Sequence, residues 1–123
     1  MRRWILDKDQ TPQRFPLQQL LRRVITVAGI RNDTCELLRA RGYGAKVRYL
    51  EERLDSEDVV SIAIADLEKL TEGTDEWFYD LEVRLPGTDL RFGLHDSTAL
   101  FVDGDPSIVE KVVSGFVTSQ PAL

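Results

Sequence analysis

Trp77-Phe78-Tyr79-Asp80-Leu81-Glu82-Val83-Arg84-Leu85 sets Trp77, Tyr79, Leu81, Val83 and Leu85 in alternation with Phe78, Asp80, Glu82 and Arg84. A period of two over nine residues predicts a strand with one buried face. Counted straight through, the buried face holds Trp77 and Tyr79, and Phe78 lies on the exposed face with Asp80, Glu82 and Arg84. Downstream, Pro86-Gly87-Thr88-Asp89 is turn chemistry, and Leu90, Phe92 and Leu94 resume the alternation. His95-Asp96-Ser97 interrupts it, and Thr98 to Val102 returns before Asp103-Gly104. Two consecutive hairpins make a three-stranded antiparallel meander. Asp105 then caps a helix with Pro106 at its first position and Ile108, Val109, Val112, Val113 and Phe116 as its apolar stripe. Thr118 to Leu123 is expected to fray.

Upstream of Trp77 the period is mostly helical. Leu17, Leu20, Leu21, Val24, Ile25 and Ala28 fall on one face after Pro16, with Gly29 as the stop. Asp33 and Glu36 have capping-box spacing ahead of Leu37 and Leu38, which predicts a second helix to about Arg41, ended by Gly42. Val47, Leu50 and Leu54 predict a third. Residues 57–72 fit a fourth, although the β-branched run Val59 to Ile64 argues for a strand. Trp4-Ile5-Leu6 reads as an edge strand or packed arm. The expected architecture is α+β: a helical N-terminal part of about four short helices, packed with the meander and a C-terminal helix, in one globular domain over residues 1–123.

Composition narrows the function classes. With 42% hydrophobic and 30% charged residues the chain matches a folded globular protein. Cys35 and His95 are the only Cys and His, which excludes a disulfide framework, a zinc finger and any mechanism needing two imidazoles. The N-terminal apolar run stops after three residues, and no stretch approaches the roughly twenty apolar residues of a membrane span. The expectation is a soluble cytoplasmic protein without a membrane partner.

The net charge of −5 hides an asymmetry: residues 1–53 hold 12 Lys and Arg against 6 Asp and Glu, whereas residues 54–123 hold 4 against 15. Halves of opposite sign are expected to neutralise each other across the fold, and they would also suit a head-to-tail homodimer.

The densest polar constellation is Leu94-His95-Asp96-Ser97-Thr98, followed by Asp103-Gly104-Asp105. Turn chemistry accounts for His95, Asp96 and Ser97, and neighbours on one turn cannot place a base against its nucleophile. Cys35, beside Leu37 and Leu38, reads as a small buried apolar residue. Gly42-Tyr43-Gly44-Ala45-Lys46 lacks the Gly-Lys-Ser/Thr ending of a P-loop and reads as a helix-to-helix corner. Arg22, Arg23, Arg31, Arg39, Arg41, Lys46 and Arg48 cluster over short helices that could resemble a helix-turn-helix, but the acidic balance argues against nucleic acid.

By elimination the residues point to a small acidic protein-binding module without catalytic activity or cofactor: an adaptor, inhibitor or immunity-type protein. Its expected surface is Phe78, Asp80 and Glu82, with His95, Asp96 and Ser97 at the rim. The alternatives are a small enzyme or metal-dependent domain centred on His95 and Asp96, and nucleic-acid binding through the Arg-rich helices.

Overall fold

The strand expected at Trp77 forms, but near the middle of a far larger sheet than three strands. The computed structural model describes residues 1–29 and 33–121. Along the chain run β1 (Arg2–Ile5), α1 (Leu17–Ala28), β2 (Thr34–Tyr43), α2 (Ala45–Ser56), β3 (Val60–Ala63), α3 (Ile64–Leu70), β4 (Trp77–Arg84), β5 (Arg91–His95), β6 (Ala99–Asp103), α4 (Pro106–Val113) and β7 (Gln120–Pro121). The strands form one seven-stranded antiparallel sheet in the order β3-β2-β4-β5-β6-β1-β7. The fold is α+β, but the expected helical N-terminal part beside a three-stranded meander is corrected: β4, β5 and β6 are the centre of a sheet that β1, β2, β3 and β7 extend on both sides.

The largest correction is Asp33–Arg41, expected to be a helix and found to be most of β2. The cause is a β-bulge. Leu37 opposes Val83 and Arg39 opposes Glu82, which leaves Leu38 as an extra residue on β2. Cys35, Leu37 and Ala40 face the core, so the apolar spacing is two and then three, which breaks the strand period. Residues 57–72 divide at Ile64 into strand β3 and helix α3, so both signals in that segment were real. Helix α1 starts after Pro16 and stops at Gly29, whose left-handed φ of +65° lets its N–H reach the Ile25 carbonyl.

Buried residues of all four helices found among the described residues join the inward side chains of the sheet in one core. Among the described residues the opposite face of the sheet carries no helix. The charge asymmetry resolves inside the fold, because Arg2–Asp103, Arg3–Glu110, Arg22–Glu68 and Arg39–Asp80 each join a cation of the first half to an acid of the second.

The C-terminal segment is tied down as far as it is described, which corrects the expected fraying from Thr118. Asp7 accepts hydrogen bonds from the Val117 and Thr118 N–H groups and the Thr118 hydroxyl, and Gln120–Pro121 pairs with β1. Partial burial alone would raise the Asp7 pKa, but these hydrogen bonds outweigh it and hold the carboxyl below its ordinary value of 3.8. Asp105 is lowered likewise by the Ser107 hydroxyl and the Ile108 and Ser107 N–H groups at the start of α4. A depressed carboxyl contributes stability that is present above its unfolded value and lost as pH falls through the folded one. Acidification below about pH 4 is therefore expected to loosen both attachments. In an NMR pH titration the Val117 and Thr118 amides should move with a midpoint below 3.8, and Asp7→Asn should abolish the step; a midpoint at or above the ordinary value would refute the attachment.

Candidate functional site

Antiparallel pairing places Arg39, Arg41 and Tyr43 of β2 on the open face opposite Glu82, Asp80 and Trp77 of β4. From there a chain of ion pairs crosses the sheet. Arg39 bridges Asp80 and Glu82, Arg91 bridges Glu82 and Asp103, and Arg2 reaches Asp103 at 3.3 Å. Beside it Arg84 grips Glu36 through two nitrogens at 3.2 Å each. These pairs are partly solvated and contribute modestly to stability. Together they join the long side chains of this face into one continuous lattice of paired charges.

The lattice continues into the β5–β6 hairpin. The second Asp80 carboxylate oxygen accepts the Asp96 N–H at 3.0 Å, and the Ser97 N–H donates to the Tyr79 carbonyl at 2.7 Å. Asp96 and Ser97 adopt φ of +43° and +56°. Two successive left-handed residues make the mirror-image turn that matches strand twist in a hairpin, normally with Asn and Gly. Here two non-glycine residues are strained, and the β4 contacts hold them. Ser97→Gly is expected to stabilise the protein by about 0.5–1 kcal/mol, because relief of left-handed strain exceeds the entropy that glycine adds to the unfolded chain. A urea titration reads it, and a lowered midpoint would count against the strain.

Two aromatic groups frame the lattice. At one end Trp4 packs against His95 and Phe101, with ring centroids 5.7 and 6.0 Å away, and the Arg2 guanidinium covers the Phe101 ring at 4.5 Å. At the other, Tyr43 packs against Trp77 at 5.1 Å and Tyr79 at 5.7 Å. Tyr43 is 57% exposed, and Trp77 and Tyr79 are half-buried. These rings line a cleft of about 440 Å³ with Arg14, Gln13 and Ser97. Gln13 is 5% exposed and donates to the Phe15 and Thr71 carbonyls, while its own side-chain oxygen is buried without a partner.

No known protein family, curated protein or solved structure matches this chain.

Of the residues expected at a binding surface, Asp80, Asp96 and Ser97 come together at the hairpin. Glu82 lies in the ion-pair lattice and exposed His95 stacks beside Trp4. Phe78 is not exposed on this face, which corrects its expected orientation: it is fully buried in the core, although it stands among the residues that line the cleft. Gly42 opposes Phe78 and Arg41 opposes Asp80, so Tyr79 is the extra residue of a second bulge. Beyond it Leu81 and Val83 face inward as expected, whereas before it Phe78 turns inward and Trp77 and Tyr79 turn outward. Tyr43 and Arg14 were missed as site residues, Trp77 and Tyr79 are assigned by the sequence to the core, and Arg39 and Arg41 only to the nucleic-acid alternative; Tyr43 sits between two glycines in a segment that reads as a corner.

Among the described residues no group of three or more His, Cys, Asp or Glu side chains could hold a metal ion, and the Asp80 carboxylate beside the hairpin is taken by Arg39 and the Asp96 N–H. The glycine corner joins strand β2 to α2, not helix to helix, and the N–H groups of Lys46 and Val47 that could cradle a phosphate already bind Glu76 at 2.7 and 3.0 Å. Gly44, at φ +116°, packs so closely on Glu76 that a Cβ there would lie 2.1 Å from its Cγ. A helix-turn-helix is excluded at Arg39 and Arg41 because both lie on β2; Arg31 lies outside the described residues. Burial, with a smaller contribution from Glu36, pushes the Cys35 thiol up to about 12, which leaves it protonated and unreactive. No helix among the described residues is long and apolar enough to cross a membrane.

Proposed function

We propose that this protein is a non-catalytic protein-binding module of the adaptor, inhibitor or immunity type, and that its partner docks on the open face of the sheet around Tyr43, Trp77 and Tyr79. The observation that carries this reading is a sheet with helices on one side only among the described residues, whose bare side presents clustered, half-exposed aromatic rings beside a lattice of paired charges. Trp, Tyr and Arg are the residue types that dominate binding energy at interfaces, and rigid side chains lose little entropy on docking. Asp80 and Glu82 act here as the frame, because their charges are already paired, and the strained hairpin ends at the same cleft.

The test is a comparative pull-down from the source lysate, after nuclease treatment, with the tagged protein and its Trp77→Ala and Tyr43→Ala variants. A protein recovered in stoichiometric amount with wild type is expected to fall about tenfold or more with each variant. Unchanged circular dichroism would show that the variants fold. Equal recovery by all three proteins, or recovery of bait alone by wild type, would overturn the reading.

A further inference from the structure

We propose that the cleft between Tyr43, Trp77, Tyr79 and the loop bearing Arg14 takes an extended acidic peptide segment of the partner, whose carboxylates pair with Arg14 and Arg41 while its apolar side chains lie on the aromatic rings. This inference rests on the proposed reading of the open face and adds the chemistry of the partner.

Charge on this face is the first support. Arg2, Arg39, Arg84 and Arg91 are all committed to carboxylates within the sheet. Arg14 and Arg41 are exposed, and neither forms an ion pair among the described residues. Arg41 alternates with Tyr43 along β2, so its side chain rises from the same face one pleat away from the rings. Arg14 lines the cleft from the facing loop. Two acids border this corner, Asp96 next to the cleft-lining Ser97 and Glu76 next to Trp77; Glu76 is taken up by the Lys46 and Val47 N–H groups, so Arg14 and Arg41 face Asp96 as the uncommitted charges here, in a chain whose net charge is −5. A surface that runs against the sign of its own molecule complements an acidic ligand locally, within the screening length of about 8 Å at physiological salt.

Hydrogen bonding is the second. The orphaned Gln13 oxygen belongs to a residue that lines the cleft. That oxygen is sealed from solvent, so the hydrogen bonding open to an extended peptide here comes from its own backbone N–H and C=O groups against the cleft's exposed polar side chains. Tilted rings 5.1 and 5.7 Å apart leave faces on which Pro or Leu can lie. A single-stranded nucleic acid would also use aromatic faces and arginines, but the acidic balance of the whole chain opposes its long phosphate backbone more than it opposes a short segment.

The probe is a short synthetic peptide in which Glu alternates with Pro and Leu, titrated into the full isotope-labelled chain. The Trp77 indole N–H resonance is followed by NMR. Saturable movement of that resonance is expected, with affinity reduced about tenfold in Arg14→Glu and in Arg41→Glu and improved in Asp96→Asn. The Trp4 indole serves as the internal control. A Trp77 signal that stays still, or that moves equally with the matching Lys peptide, overturns the proposal. So does oligo-thymidine displacing the peptide or binding more tightly at the same resonance, which would assign the cleft to nucleic acid. If the peptide fails while Trp77→Ala still loses the lysate partner, the acidic-segment inference falls and the binding-module reading stands.

Discussion

Phe78→Ala is expected to cost about 3–5 kcal/mol, the range for truncating a fully buried aromatic side chain. Domains of this size are stable by only about 5–15 kcal/mol, so the variant should sit near the edge of folding, with a much lower urea midpoint and poor soluble yield. The argument is geometric. Phe78 is among the largest side chains with no solvent exposure, and it lies opposite Gly42 on β2. The glycine leaves no room for a neighbouring side chain to fill the void, since a Cβ at position 42 would come 2.1 Å from the Trp77 carbonyl oxygen. The cavity would therefore persist. Phe78→Leu, which keeps most of the volume, should lose only about 1–1.5 kcal/mol. A surface phenylalanine behaves otherwise: removing it changes stability by about 0.5 kcal/mol or less. Retention of the wild-type midpoint by Phe78→Ala would return Phe78 to the exposed face, and with it would go the bulge at Tyr79 and the outward placement of Trp77.

That one residue shows where the sequence was legible and where it was not. Helices α1 and α4 could be read because stripe, start and stop all agree: Pro16 and Gly29 bracket the first, and the Asp105 side chain accepts from Ser107 and Ile108 N–H at the second. The β4–β5–β6 hairpins could be read because their pairings are local. Strand β2 could not, because the extra Leu38 erased its alternation and left a spacing that mimics a helix. Nor could the position of β1, which pairs with residues about a hundred positions away, since nothing in a local period encodes a distant partner. The site suffered from the same physics. Trp77 and Tyr79 stood out as aromatic, but one uncounted residue inverted their face. Charge was legible only as a total. Asp80 and Glu82 formed an acidic pair on paper and a neutralised one in the fold, because Arg39 reaches them from a strand that had been read as a helix.

Gly93→Ala should be at least as damaging, with an expected cost on the order of 3 kcal/mol or more, beyond ordinary overpacking because the obstacle is backbone. Gly93 sits on β5 between Glu82 of β4 and Phe101 of β6. A Cβ there would lie 1.9 Å from the Leu81 carbonyl oxygen and 2.7 Å from its carbon. Neither atom can move without separating β4 from β5, so a single methyl group would break pairing at Leu81–Leu94 and Val83–Phe92 together. On β6 the partner of this glycine is Phe101. It lies opposite Gly93 on the open face yet is fully buried, under Arg2 and beside Trp4. Gly87→Ala is the control, since nothing lies within 4 Å of its Cβ position and its φ of +77° carries only the left-handed penalty of about 1–2 kcal/mol. Urea midpoints of the two variants decide the matter. Equal midpoints would mean that β4 and β5 are not in this register, and the open face, with its ion-pair lattice and aromatic cleft, would then have to be redrawn.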